Sequence, residues 1–224
     1  MTMITTKPTF DEEKKLWEKG YCVIGIDEVG RGAFAGPLIV GAVVFDKENP
    51  LLSEINDSKL LKPLKRNELS KIIEQCSFCS TVASIPVSTI NKLGIGKANQ
   101  MAFRKVISQI RKIINHEKLF VLVDGFHVKY LRGIGLKNQK AIIKGDQKSV
   151  SIAAASIIAK VHRDRLMRSL SKKYPVYKFG KNKGYGTKDH QEAIKRFGLC
   201  KLHRKSFNLQ KFTVSGSRVD TTYS

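Results

Sequence analysis

Three apolar stretches of this chain each run into a carboxylate, and that recurrence is its strongest chemical signal. Val23-Ile24-Gly25-Ile26 ends in Asp27 and Glu28, the run 119–123 ends in Asp124, and Ala141-Ile142-Ile143 is followed, after Lys144-Gly145, by Asp146. Short apolar runs bounded by glycine or charge read as buried strands, and groups just past strand ends are a common site architecture in α/β sheets. Four carboxylates brought together repel one another, and burial adds several kcal/mol for each uncompensated charge. Divalent cations offset both costs. All-oxygen donors select hard ions, so Mg²⁺ or Mn²⁺ is expected and zinc is not. Four carboxylates balance two divalent ions. Two ions about 4 Å apart can activate a water and stabilise the oxygen that leaves phosphorus.

Backbone geometry limits which acids can share an ion. Successive strand residues point to opposite faces, so Asp27 and Glu28 can meet only where the strand ends, and Val29-Gly30 supplies that ending. Asp164 competes with Asp146 for the fourth place. Eighteen residues of continuous helix would separate the two by roughly 27 Å, so both cannot join the cluster. Asp164 also has Lys160 and Arg168 at i−4 and i+4, the spacing of a solvated ion-pair ladder. Asp146 precedes a helix, whose dipole would favour its ionised form, and is the choice. Asp57 and Asp189 have lysine neighbours and read as structural or substrate-positioning.

The whole chain sets the partner. Its 224 residues carry 41 Lys+Arg against 19 Asp+Glu, a net charge of +22 with pI near 10.0. A polyanion, nucleic acid above all, is the expected ligand. No apolar segment approaches the roughly 20 residues of a membrane span, and the polar opening lacks a secretory pattern, so a cytoplasmic monomer is expected. The first five residues, MTMIT, read as a remnant of an expression leader. Cys76 and Cys79 have C-x-x-C spacing without a second pair, which leaves them, with Cys22 and Cys200, as free thiols. Gly94-Ile95-Gly96-Lys97 lacks phosphate-loop spacing. The five histidines show no metal-ligand spacing, and no G-x-S-x-G elbow supports a serine hydrolase.

The elements that must position the acids follow from periodicity. Helices are predicted over 10–19, 64–75, 88–93, 97–116, 149–172 and 188–197, and strands over 22–27, 36–45, 77–85, 119–123 and 141–143. In the helix 97–116, Met101, Val106, Ile110, Ile113 and Ile114 are placed inward. The architecture is α/β: a mixed sheet flanked by helices, with a small C-terminal helical appendage. Its division is an N-terminal segment and helix (1–19), a catalytic domain (20–172), the appendage (173–212) and a disordered tail (213–224).

Two loops add binding potential. Gly30-Arg31-Gly32 allows positive φ and the close approach of a sugar-phosphate backbone. Tyr185, between two glycines in a lysine-rich loop, is a poor core residue and well placed to stack on a sugar or base. Ser58, Lys59, Lys144, Lys181 and Lys183 are candidate phosphate contacts.

GIDEVGRGAFAGPLIVGAVV resembles the opening motif of ribonuclease HII, the type 2 ribonuclease H. The resemblance recurs in order through Asn56-Asp57-Ser58-Lys59, Leu122-Val123-Asp124-Gly125, Lys144-Gly145-Asp146, residues 151–167, Lys183-Gly184-Tyr185-Gly186-Thr187 and His203-Arg204-Lys205-Ser206-Phe207. It implies a ribonuclease H-like sheet and Asp27, Glu28, Asp124 and Asp146 as ligands of Mg²⁺ or Mn²⁺. It also implies cleavage 5′ of a ribonucleotide, in RNA/DNA hybrids and at single ribonucleotides in duplex DNA, leaving 3′-hydroxyl and 5′-phosphate ends. Tyr185 matches the family's tyrosine at the nucleotide following the ribose. Two rivals remain: a non-catalytic basic RNA-binding protein, which leaves the carboxylates unexplained, and a ribonuclease H-like DNA nuclease, which has no use for a 2′-hydroxyl reader.

Overall fold

A computed structural model describes residues 7–128, 131 and 133–213; the MTMIT leader reading and the disordered-tail reading, apart from Thr213, fall outside the described residues. Five strands form one sheet: β1 (Cys22–Val29), β2 (Leu38–Phe45), β3 (Cys79–Ile85), β4 (Leu119–Asp124) and β5 (Gln139–Ile142). Their order is β3-β2-β1-β4-β5, with β1, β2 and β3 antiparallel and β4 and β5 parallel to β1 and to each other. The described helices are α1 (Asp11–Trp17), α2 (Pro63–Cys76), α3 (Val87–Leu93), α4 (Ile95–Ile113), α5 (Val150–Lys173), α6 (Phe179–Asn182) and α7 (Lys188–Phe197). This is a mixed α/β sheet with helices on both faces. None of these helices is long and apolar enough to cross a membrane.

Strand β2 is buried at every position because α4 covers one face of the sheet and α5 with α2 the other. α4 turns Ala98, Ala102, Phe103, Val106, Ile107 and Ile110 to the sheet. Val106, Ile110 and Ile114 face inward as expected, but Met101 and Ile113 face outward, their places on the stripe taken by Ala102 and Ile114. β5 corrects another expectation. It is an edge strand that ends at Ile142, with Ile143 exposed, so the run 141–143 is not doubly buried.

α5 is the element on which the site is built, and its approach to the sheet depends on small residues. A Cβ on Gly25 would lie 2.2 Å from the carbonyl carbon of Ser151, and one on Gly41 2.3 Å from the carbonyl oxygen of Ala155. Neither contact can be relieved by turning a side chain. Gly25→Ala is therefore expected to cost about 3 kcal/mol or more, read as a lower urea midpoint. Gly96→Ala, with open space at its Cβ, should be neutral or slightly stabilising. Equal effects would show that α5 does not press on β1.

The start of α5 is fixed by two side chains. Ser149 Oγ accepts the Ile152 N–H, and Glu13 of α1 accepts the Ser151 N–H at 2.9 Å from a fully buried position. Glu13 lies in the first turn of α1, yet its carboxylate serves the N-terminus of α5. Burial raises its carboxyl pKa, only partly opposed by these bonds.

Beyond α5, Tyr174, Tyr177, Phe179, Ala193 and Ile194 form their own cluster against Met167 and Ala35. At its centre His190 and His203 touch, Nε2 to Nε2, at 3.1 Å. Their separation of thirteen positions hid this from sequence spacing. Cys200 donates its N–H to His203 Nδ1 at 2.9 Å, so His203 carries its proton on Nε2 and gives it to His190, whose Nδ1–H meets the Tyr185 carbonyl at 2.9 Å. The chain closes only if both rings are neutral. Burial, then His190, drives the His203 pKa down to about 3. The unfolded chain binds this proton near pH 6.5 and the folded chain does not, so stability is complete above about 6.5 and is lost as pH falls toward 3. The loss attributable to His203 is on the order of a few kcal/mol. His203→Gln should flatten the urea midpoint against pH between about pH 4 and 7.5; an unchanged slope would remove the neutral pair from the argument.

Candidate active site

The parallel ladder between β1 and β4 ends with Ile26 opposite Val123. The next residue on each strand is Asp27 and Asp124, so the two acids stand side by side at the carboxyl end of the sheet's centre. Asp27 is nearly buried, and its Oδ1 accepts the Glu28 N–H at 2.7 Å. Asp124 is half-buried, and its Oδ1 accepts the Gly145 N–H at 2.7 Å. That bond fastens the turn after β5, which delivers Asp146 one residue later.

Glu28 shows the strand geometry at work. β1 does not end at Glu28 but pairs with β2 through Val29. Asp27 and Glu28 therefore stay on opposite faces, the first beside Ser156 of α5, the second beside Asn99 of α4. Asp124 acts on both, raising the pKa of each. Asn99 is buried and stabilises the Glu28 carboxylate, although neither end of its amide makes a hydrogen bond of ordinary geometry. Arg31 pairs with Glu28 Oε1 at 3.3 Å, and Glu28 Oε2 is buried without a partner.

Asp146 is buried in a short 3₁₀ turn (Gly145–Gln147), not in the first turn of α5. Burial pushes its pKa up, and Lys59, with Nζ 3.3 Å from Oδ2, pulls it back. The helix dipole expected to hold it ionised is outweighed. Burial likewise raises Glu28, and it raises Asp27 well above the carboxylate range with help from Asp124, Glu28 and Asp146. Four acids that each raise or share this cost, one with an orphaned buried oxygen, form a donor set that fits hard divalent ions. Among the described residues they do not close into a preformed cage; one oxygen each of Asp27 and Asp124 accepts a backbone N–H, Arg31 holds Glu28 Oε1 and Lys59 holds Asp146 Oδ2.

The remaining candidates fall around this centre. The Asn56–Lys59 loop is tied to α5: Ser58 is buried, its hydroxyl 2.9 Å from that of Ser156, so only Lys59 of the pair faces solvent. Asp57, also buried, accepts the Lys59 N–H and the Gln147 amide. It raises the Asp146 pKa, a fifth acid that the sequence did not place at the site. Lys144 is exposed beside Asp146, with φ of +55°. Arg31 and Gly32 are exposed, with open space where a Gly32 Cβ would stand. Gly30 has φ of +90°, and its missing Cβ makes room for Arg163 rather than for a ligand. Tyr185 is half-buried with the Arg163 guanidinium 5.3 Å from its ring centre. Lys181 is paired with Asp189 at 2.9 Å, and the half-buried Lys183 bonds the Gly180 carbonyl. Asp164 is buried rather than solvated, held by Arg66 and Lys160 rather than by Arg168.

This strand order, with acids at the carboxyl end of its centre, defines a ribonuclease H-like hydrolase. The ribonuclease HII family model matches residues 24–210. The ribonuclease HII of Caldicellulosiruptor bescii is 45% identical over 199 residues, covering 88% of this chain and 92% of that protein. The Fusobacterium nucleatum protein is 48% identical over 186 residues, 83% of this chain and 85% of its own. Among solved structures, ribonuclease H2 of Pyrococcus horikoshii superposes with a TM-score of 0.69 at 28% identity, over 85% of this chain and 96% of that one. The ribonuclease HII of Archaeoglobus fulgidus, solved in complex with PCNA, gives 0.68 at 26%, over 84% and 96%. The chain belongs to the ribonuclease HII family. It is a ribonuclease H acting on RNA/DNA hybrids.

Proposed function

We propose that this chain also incises duplex DNA at single embedded ribonucleotides, cutting 5′ of the ribose and leaving 3′-hydroxyl and 5′-phosphate ends. The observation that carries the hydrolytic centre is the placement of Asp27 and Asp124 side by side, with Glu28 and Asp146 close enough to raise Asp27 further. Asp27, Glu28, Asp124 and Asp146 would hold two Mg²⁺ or Mn²⁺ ions, which when bound supply an activated water and a stabilised leaving oxygen. Gly145 N–H orients Asp124, and Glu28 N–H orients Asp27. Lys59 faces Asp146, where its charge can pass to an incoming phosphate.

Selectivity rests on Gly30, Arg31, Gly32 and Tyr185. A selective enzyme must touch the 2′-hydroxyl, and the backbone can do so at Gly32, where the Cβ position is open, while Gly30 shapes the loop through its positive φ and its contact with Arg163. Arg31, braced by Glu28 and by Phe126 at 5.0 Å, would hold the neighbouring phosphate. Lys59, Lys144, Lys181 and Lys183 would extend the phosphate track. Because each neutralised phosphate releases counterions, the dissociation constant should rise steeply with salt; salt-independent binding would sink this interface.

Labelled duplex DNA containing one ribonucleotide, incubated with Mg²⁺ beside an all-DNA control and an RNA/DNA hybrid, tests the proposal. Cleavage of the first and third alone supports it. Cleavage of the hybrid alone confines the enzyme to long RNA tracts.

A further inference from the structure

Arg163 and Arg204 have no exposed surface, and neither makes an ion pair with a carboxylate among the described residues. A buried guanidinium without a counter-ion is costly, so what it holds matters. Arg163 donates from Nε to the Pro37 carbonyl at 3.1 Å, from Nη2 to Ala35 at 3.1 Å, and from Nη1 across to Lys183 at 2.8 Å. Arg204 donates from Nε to Gly36 and from Nη1 to Arg31, both at 2.9 Å. Its second Nη is buried with no acceptor. One fork therefore spans the segment after the glycine loop and the loop carrying Tyr185, and the other holds Arg31 itself. The fit is tight: a Cβ on Gly30 would lie 2.1 Å from Arg163 Nε. The Arg163 plane also lies against the Tyr185 ring.

We propose that Arg163 and Arg204 are positioning residues for ribose discrimination, two buried forks that lock the Gly30–Gly32 loop and the Tyr185 loop into one reader. The proposal rests on the reading of those loops given above. Only arginine offers planar donors in a fixed fork to three carbonyls from two segments. Lysine would keep the charge and lose the fork. A merely structural role would lower stability and act on every substrate alike. A positioning role acts most where a single ribose must be found, because a long hybrid offers many registers and a single-ribonucleotide duplex offers one.

The test compares kcat/KM of wild type, Arg163→Lys, Arg204→Lys, Tyr185→Ala and Arg163→Lys/Tyr185→Ala on the single-ribonucleotide duplex and the hybrid, with melting temperatures. Arg163→Lys should lose on the order of 10- to 100-fold on the single ribonucleotide, mostly in kcat, and clearly less on the hybrid. The double variant should lose no more than the worse single one, since both act through one ring. Equal losses on both substrates, or multiplying losses in the double variant, would overturn the proposal. If Arg163→Lys does not fold, Arg204→Lys carries the same comparison, and failure of both to fold assigns the arginines to stability alone. A wild type that leaves the single-ribonucleotide duplex uncut removes the underlying reading instead.

Discussion

Asp124→Asn is expected to abolish cleavage, leave duplex binding nearly intact and raise the thermal stability of the ion-free protein. Asparagine is nearly isosteric and keeps an oxygen for the Gly145 N–H, so the turn that delivers Asp146 is preserved. What disappears is one negative charge from a group that raises the pKa of both Asp27 and Glu28. In the absence of divalent ions that repulsion opposes folding near neutral pH, and its removal is stabilising. With ions, the lost ligand weakens the charge stabilisation that hydrolysis needs, an effect worth several kcal/mol, or roughly three orders of magnitude in rate. Affinity for the duplex resides mainly in Lys and Arg at phosphates and is untouched. Single-turnover cleavage, a melting curve in chelator and a binding isotherm check the three parts. A wild-type rate under Mg²⁺ would remove Asp124 from the centre.

The opposite signs on stability and activity point to why parts of this molecule were legible in the sequence. A strand that ends in a carboxylate is a local pattern, so Asp27 and Asp124 and their strands could be read from periodicity. Asp146 needed the helix argument and the resemblance, and its strand ends at Ile142 rather than at Ile143. The errors came where a partner lies far along the chain. Ser58 looked like a phosphate contact because its loop is polar, but Ser156 of α5 claims its hydroxyl. Asp164 looked solvated because lysine and arginine flank it at helical spacing, yet Arg66 of α2 buries it. Asp146 precedes a helix and was read through the dipole, whereas burial decides its proton. Glu13 and the two histidines were missed for the same reason. Their partners, Ser151 and each other, are set by packing, and no spacing in one chain encodes it.

Tyr185→Ala is expected to cut single-ribonucleotide duplexes far more poorly than wild type while losing only a few degrees of melting temperature. The backbone here does not depend on the ring. Tyr185 N–H is held by the Asn182 carbonyl at 3.0 Å, its own carbonyl by His190, and the adjoining Gly184 N–H by Asn182 Oδ1 at 2.8 Å. All of these survive truncation. The ring itself is half-buried and packs on the Arg163 guanidinium, so its loss should cost roughly 1 kcal/mol, or about 2–4 °C in a chain of this size. Stacking of an aromatic side chain on a nucleotide is worth about 1–3 kcal/mol, which becomes roughly 5- to 150-fold in kcat/KM if the contact forms at the cleaved junction. The ratio between the two effects is the discriminating quantity. A melting temperature that falls by ten degrees or so with an unchanged preference between single ribonucleotide and hybrid would make the ring a packing residue between the Lys183–Gly186 loop and α5, and would leave the glycine loop as the sole reader of the sugar.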